Sequence, residues 1–259
     1  MIERTPDHGG SQAQWEGARV EPRGPHGRVK SADRAADSLQ PDVQPRRHAE
    51  PRPRRSREVP DARRAARVIA EREGSYLVED SLDVLTCDGA GTIGLELFER
   101  PEELDAVVIA LGGGAMASGI GCVAKSLAPH VEVLAVQPAG APAMALSWRR
   151  GSIVESETIE TIADGVAGRF PIPEVLGDLL AVVDDVVLVG EESIKAGMRL
   201  LYRHAGLIVE PSAALGVAAV LEDRDRFSGR RIATVICGSN VMTNDFERWV
   251  LAPDSGRRR

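Results

Sequence analysis

Aromatic residues make up only 3% of this chain, so any core must be built from Val, Ile, Leu and Ala. Lysine is scarce as well, with Lys30, Lys125 and Lys195 the full set, which leaves few candidates for amine chemistry. The three cysteines, Cys87, Cys122 and Cys237, lie far apart with no Cys-x-x-Cys pair and no histidine spaced as a metal partner. That pattern excludes a disulfide framework and fits reduced thiols in the cytoplasm. No stretch supplies the roughly 18 uncharged apolar residues that a membrane span needs. The start, Met1-Ile-Glu-Arg-Thr-Pro, lacks the apolar region of an export signal, so no membrane partner is expected.

What is present has the balance of a globular protein, 43% hydrophobic and 27% charged, with a net charge of −7. The charge divides near Pro60. Residues 1–60 carry 12 Lys+Arg against 9 Asp+Glu and eight of the 16 prolines, and residues 61–259 carry 20 against 30. The first segment shows almost no apolar periodicity and reads as a disordered Arg/Pro-rich arm. Arg46, Arg47, Arg52, Arg54, Arg55 and Arg57 could form a nucleic-acid arm, but no aromatics interleave them to stack on bases, so a solvated tail is the better reading and no nucleic-acid partner is expected. The abrupt change in composition also fits a segment read in a shifted frame of GC-rich DNA, where Arg, Pro, Ala and Gly abound.

From Asp61 onward helices and strands alternate. Asp61 can cap a helix Ala62–Glu73 that Gly74 ends, and Tyr76-Leu-Val offers a short strand. A helix follows over Thr92–Arg100, with Ile93, Leu95, Leu97 and Phe98 partly buried, then a strand Ala106–Leu111, a helix to Leu127 and a strand Val131–Val136. Later come a strand Val182–Val189, helices Glu191–His204 and Pro211–Leu221, a strand Ile232–Ile236 and a helix Asp245–Leu251. The βαβ unit implies an α/β fold in three layers, a parallel sheet with helices on both faces and ligands outside the carboxyl ends of its strands.

The richest motif is Asp105-Ala-Val-Val-Ile-Ala-Leu-Gly-Gly-Gly-Ala-Met-Ala-Ser-Gly119, a buried strand running into three glycines that open a helix. Glycines let the backbone approach an anion, and the first N–H groups of the helix point at it with the positive end of the dipole. Gly112-x-Gly114-x-x-Ala117 also meets a relaxed dinucleotide fingerprint. A nicotinamide cofactor would want an acidic side chain ending the next strand, where Gln137 stands. A tight turn with no ligand is the third reading.

Asp88-Gly-Ala-Gly-Thr-Ile-Gly-Leu-Glu96, Thr161-Ile-Ala-Asp-Gly-Val-Ala167, Glu210-Pro-Ser-Ala-Ala-Leu-Gly216 and Cys237-Gly-Ser-Asn240 accompany the glycine loop. With these motifs, residues from about Ala62 to Leu251 resemble the threonine dehydratase and serine racemase group of fold-type-II pyridoxal-phosphate enzymes. The resemblance implies that pyridoxal 5'-phosphate is the cofactor, its phosphate held by Gly112, Gly113, Gly114, Ala115 and Met116. Ala115 replaces the family's fourth glycine and can still donate its N–H if its φ is negative. Cys237 matches the residue set against the pyridine nitrogen, and Glu210 resembles a carboxylate near the ring. For Cys237 an inert buried thiol is the alternative, and for Glu210 a helix-start carboxylate favoured by the dipole. The implied reaction is deamination of serine, threonine or a similar β-hydroxy amino acid to a 2-oxo acid and ammonia, in a protein with a possible homodimer.

That chemistry uses a lysine in a Ser-x-Lys-x-Arg-Gly motif and a Ser-x-Gly-Asn-His loop, and neither is in this sequence. Lys125 and Lys195 fall on helices as surface residues, and Lys30 lies in the Arg/Pro arm without the motif's neighbours. No residue takes the catalytic role. The fold-type-II architecture is therefore incomplete, and a non-catalytic or vestigial binding protein is the alternative function. The metal motif of the racemase branch reads Gln137 and Ala143 here, so no metal site is expected.

Overall fold

The sheet is built from short, largely apolar strands whose carboxyl ends all face the same way. In the computed structural model, which describes residues 59–79, 81–100 and 103–252, four parallel strands run in the order β3-β2-β1-β4. They are β1 Ala106–Ala110, β2 Glu132–Pro138, β3 Asp185–Val189 and β4 Ile232–Thr234. Ala106 pairs with Glu132 and with Ile232, so β1 is covered on both sides. Leu134 pairs with Asp185, which places β3 at the far edge. All described residues fall within the compact unit Ser56–Arg259.

Helices are α1 Val59–Glu73, α2 Val84–Phe98, α3 Ala115–Leu127, α4 Ala143–Arg150, α5 Pro173–Val182, α6 Glu191–Ala205 and α7 Leu215–Glu222. Side chains alternate across β1. Val107 and Ile109 join Ile120 of α3 and Leu176 and Leu179 of α5 in one core. Ala106, Val108 and Ala110 meet Ile194 of α6 and Leu215, Ala218 and Ala219 of α7 in another. The expected three layers are therefore present, and the aliphatic composition supplies them. Removing one methyl from Ile109, which is completely buried, would cost about 0.5–1.5 kcal/mol.

Gly94 of the Asp88–Glu96 motif and Gly119 of α3 serve helix packing, while Gly89 faces open space. A Cβ on Gly94 would lie 2.9 Å from the Val123 Cβ, and one on Gly119 would lie 2.2 Å from the Cys87 carbonyl oxygen. Only glycine lets α2 and α3 approach so closely.

Several boundaries differ from the sequence reading. Helix α1 starts at Val59, so Asp61 sits inside its first turn, and Val59 and Pro60 belong to the helix; the rest of the expected 1–60 arm lies outside the described residues. Gly74 does end α1, with φ +62°. Residues 75–79, read as holding a short strand at Tyr76–Val78, have no regular secondary structure and pair with no described strand. Helix α2 begins eight residues before Thr92 because Asp83 caps it, accepting the Leu85 N–H, and Leu95 is exposed. The segment read as one strand from Val182 splits into the end of α5 and β3, and α4 and α5 were not expected at all. Pro211–Ala214 is a 3-10 turn leading into α7, β4 ends at Thr234, and Asp245–Leu251 divides into a helical turn Thr243–Phe246 and a π turn Glu247–Leu251.

Candidate functional site

The carboxyl end of β1 opens into Gly112, Gly113 and Gly114, and α3 starts at Ala115. Gly114 adopts φ +116°, and a Cβ there would lie 2.4 Å from Val175 Cγ1. This is the one position in the loop where conformation demands glycine. Ala115 lies inside the helix, so its φ is negative, and its N–H donates to Ser81 Oγ at 3.3 Å. The backbone angle thus allows an alanine at the fourth position, with its N–H engaged by Ser81. Gly112 packs on Thr161–Ala167, since its Cβ would lie 3.3 Å from Val166 Cα. That segment is fixed in turn by the Ile162 N–H, which donates to the Glu191 carboxylate at 2.9 Å.

Across the neighbouring strand, β4 leads through Val235 and Ile236 to Cys237 and Gly238. Glu210 does not use its side chain to cap the turn Pro211–Ala214. Its carboxylate accepts the Asn240 N–H at 3.1 Å, and its own N–H donates to the Gly238 carbonyl at 3.2 Å. A Cβ on Gly238 would lie 2.5 Å from the Glu210 carboxyl carbon, and one on Gly165 would lie 2.7 Å from Ser212 Oγ and 3.0 Å from Glu210 Oε1. Glu210 therefore joins three glycine-bearing segments. The hydroxyl of Ser212 is buried and, among the described residues, has no hydrogen-bond partner. Cys237 is accessible to solvent, yet the packing around it pushes its thiol above the ordinary range, and the Glu210 charge adds to the rise. The thiol is neutral near pH 7.

The start of α3 suits a phosphate group. Gly112, Gly113, Gly114, Ala115 and Met116 present the start of a 13-residue helix to an anion, and Cys237 and Glu210 stand at the carboxyl end of the adjacent strand. Neither described lysine reaches this end. Lys125 Nζ pairs with Asp184 at 2.6 Å, beside the start of β2, where the Val133 N–H also binds Asp184. Lys195 Nζ pairs with Glu192 at 2.7 Å on α6. Lys30 lies outside the described residues.

Sequence reasoning missed Ser81, Glu191 and Ser212. The first sits shortly before Asp83, whose cap was a readable helix-start signal. The other two become part of the site only through long-range packing.

The family model described as "Pyridoxal-phosphate dependent enzyme" matches residues 49–238. L-Threonine ammonia-lyase of Thermotoga maritima is 37% identical over 193 residues, covering 73% of this chain and 47% of that protein. Serine racemase of Arabidopsis thaliana is 37% identical over 187 residues, covering 68% and 54%. The chain thus spans about half the length of the curated relatives it matches. Among solved structures, serine racemase from Dictyostelium discoideum superposes with a TM-score of 0.63 at 32% identity, over 70% of this chain and 58% of that one. Maize serine racemase gives 0.68 at 29% identity, over 74% and 60%. With more than half of its residues matched by that model, the chain belongs to the pyridoxal-phosphate dependent enzyme family.

Proposed function

We propose that this chain carries the cofactor-binding part of an ammonia-lyase that converts a serine- or threonine-like β-hydroxy amino acid to a 2-oxo acid and ammonia. The observation that carries the reading is the pairing of the glycine loop with a thiol held neutral at Cys237. Bound pyridoxal 5'-phosphate would supply an aldehyde for the substrate amine and a ring that accepts electron density. Gly112 through Met116 hold the phosphate by backbone N–H groups and the α3 dipole, the Ala115 N–H exchanging Ser81 Oγ for the phosphate. Cys237 faces the ring as a weak neutral partner, which leaves a pyridine nitrogen without a proton and moderates its electron demand, favouring β-elimination. Glu210 keeps Gly238 and Asn240 in place beneath Cys237 through the Asn240 N–H.

A second reading, non-catalytic binding, draws on one observation: both described lysines are tied to carboxylates away from the glycine loop. Purified protein titrated with pyridoxal phosphate, followed by its visible absorbance, then reduced with borohydride and mapped by mass spectrometry, separates the two. A single stoichiometric lysine label supports the lyase. Saturable binding without a label supports the non-catalytic protein, and no binding sinks both. A cytoplasmic setting and a homodimer belong to the same proposal. The three free cysteines support the first, and light scattering on the purified chain tests the second.

A further inference from the structure

Among the described residues Ser81 alone, glycines apart, has a left-handed backbone, at φ +63°, and it is 4% exposed. The Leu82 N–H donates to the Glu79 carbonyl at 3.2 Å, which makes Ser81 the third residue of a tight turn, a position that favours glycine or asparagine when φ is positive. A serine stays in such a conformation only where its surroundings fix it, and residues of this kind gather where a ligand is held. The surroundings here are specific. Arg63 and Arg67 of α1 bind the Glu79 carboxylate at 2.9 and 2.8 Å, and the Cys87 thiol of α2 donates to the Ser81 carbonyl at 4.0 Å. The turn is therefore tied to α1 on one side and to α2 on the other.

What this turn holds in place is a hydroxyl. Ser81 Oγ accepts the Ala115 N–H, the first of α3, at 3.3 Å, from 34 positions upstream. The bond is long and weak, and the oxygen stands where an anion on the α3 start would place one of its own. A serine hydroxyl both accepts and donates, so rotation about χ1 converts Ser81 from acceptor of the Ala115 N–H into donor to the oxygen that replaces it. An O–H donated to a phosphate oxygen is charge-assisted and stronger than the neutral bond given up. The acidic side chains of Glu79 and Asp83 are already engaged, the first by two guanidinium groups and the second by the Tyr76 hydroxyl and the Leu85 N–H.

We propose that Ser81 is a phosphate-binding residue of the cofactor site, its hydroxyl donating to the phosphate that the glycine loop holds. The inference rests on the pyridoxal-phosphate reading and adds to that site a side chain from outside the loop.

The test is calorimetric titration of the full chain with pyridoxine 5'-phosphate, which carries the phosphate but no aldehyde and so forms no lysine adduct. Ser81→Ala removes the hydroxyl, and Ser81→Gly removes it while accepting φ +63° without strain, so it serves if Ser81→Ala does not fold. Each should weaken binding about tenfold or more. The ³¹P resonance of the bound ester, followed against pH, reports the phosphate's own protonation, which lies at about pH 6 in a free monoester. A donated hydrogen bond favours the dianion, so that protonation should occur at higher pH in both variants than in wild type. Affinity within about twofold of wild type in a folded variant, tighter binding, or an unmoved ³¹P titration would overturn the assignment of Ser81 alone. A wild-type chain that does not bind the ester overturns the cofactor reading together with it.

Discussion

Replacing Gly114 with alanine perturbs the glycine loop at its single left-handed position. The new Cβ would start 2.4 Å from Val175 Cγ1, which is too close for any contact, and Val175 is buried in α5 beside Leu179. Holding a non-glycine residue at φ +116° costs about 1–3 kcal/mol. Overpacking against the α5 core adds about 1–3 kcal/mol. The sum, about 2–6 kcal/mol, is a large part of the 5–15 kcal/mol typical of a domain, and for one of this size it corresponds to a fall in Tm of about 5–20 °C. Thermal unfolding followed by circular dichroism measures it. Combining Gly114→Ala with Val175→Ala removes the clash but not the backbone strain, so the double variant should recover at least about 1 kcal/mol relative to additivity. A Tm within about 2 °C of wild type for Gly114→Ala, or strict additivity in the cycle, would refute the account of why glycine stands there.

Ala115→Gly puts a fourth glycine in the loop, yet Ala115 is already helical. We expect a loss of about 0.5–1 kcal/mol of stability from propensity, with pyridoxal-phosphate affinity unchanged within twofold by absorbance titration. Glu210→Gln removes the charge that helps raise the Cys237 thiol. The pH midpoint for iodoacetamide alkylation of Cys237, followed by peptide mass spectrometry, should therefore move down from above the ordinary thiol value. At Glu132, burial works against ionisation, but hydrogen bonds from Arg226 and Arg230 outweigh it and lower the carboxyl's pKa. A lowered folded-state value adds stability that is present above the unfolded pKa and lost as pH falls through the folded one. Glu132→Gln should thus cost about 1–2 kcal/mol at pH 7, and its urea midpoint should depend less on pH between 5 and 3 than that of wild type.

How much of the fold and the site the sequence carries depends on the range of the interactions involved. The run Ala106-Val-Val-Ile-Ala followed by three glycines specified a buried parallel strand, a turn and a helix, because β-branched residues and glycine act locally. The 3.6-residue period of Glu191–Ala205 and the alternation of elements gave the layered α/β class for the same reason. Aliphatic composition dictated a core without aromatic packing, and the small number and the neighbours of the three lysines limited the covalent chemistry by themselves.

The tertiary structure decided what is set by contacts between distant residues. Glu210 could have been a helix-start carboxylate, and only the approach of Gly238 and Asn240, some thirty residues on, makes it a brace for the β4 end. Gly94 and Gly119 carry no local signal that distinguishes flexibility from close packing; the crossing of α2 over α3 assigns them to packing. Gln137 looked like the absence of an acid at a strand end. Its burial and the Ala145 N–H that donates to its Oε1 make it the residue that ties the end of β2 to the first turn of α4, because hydrogen-bond satisfaction is settled only once the chain is folded.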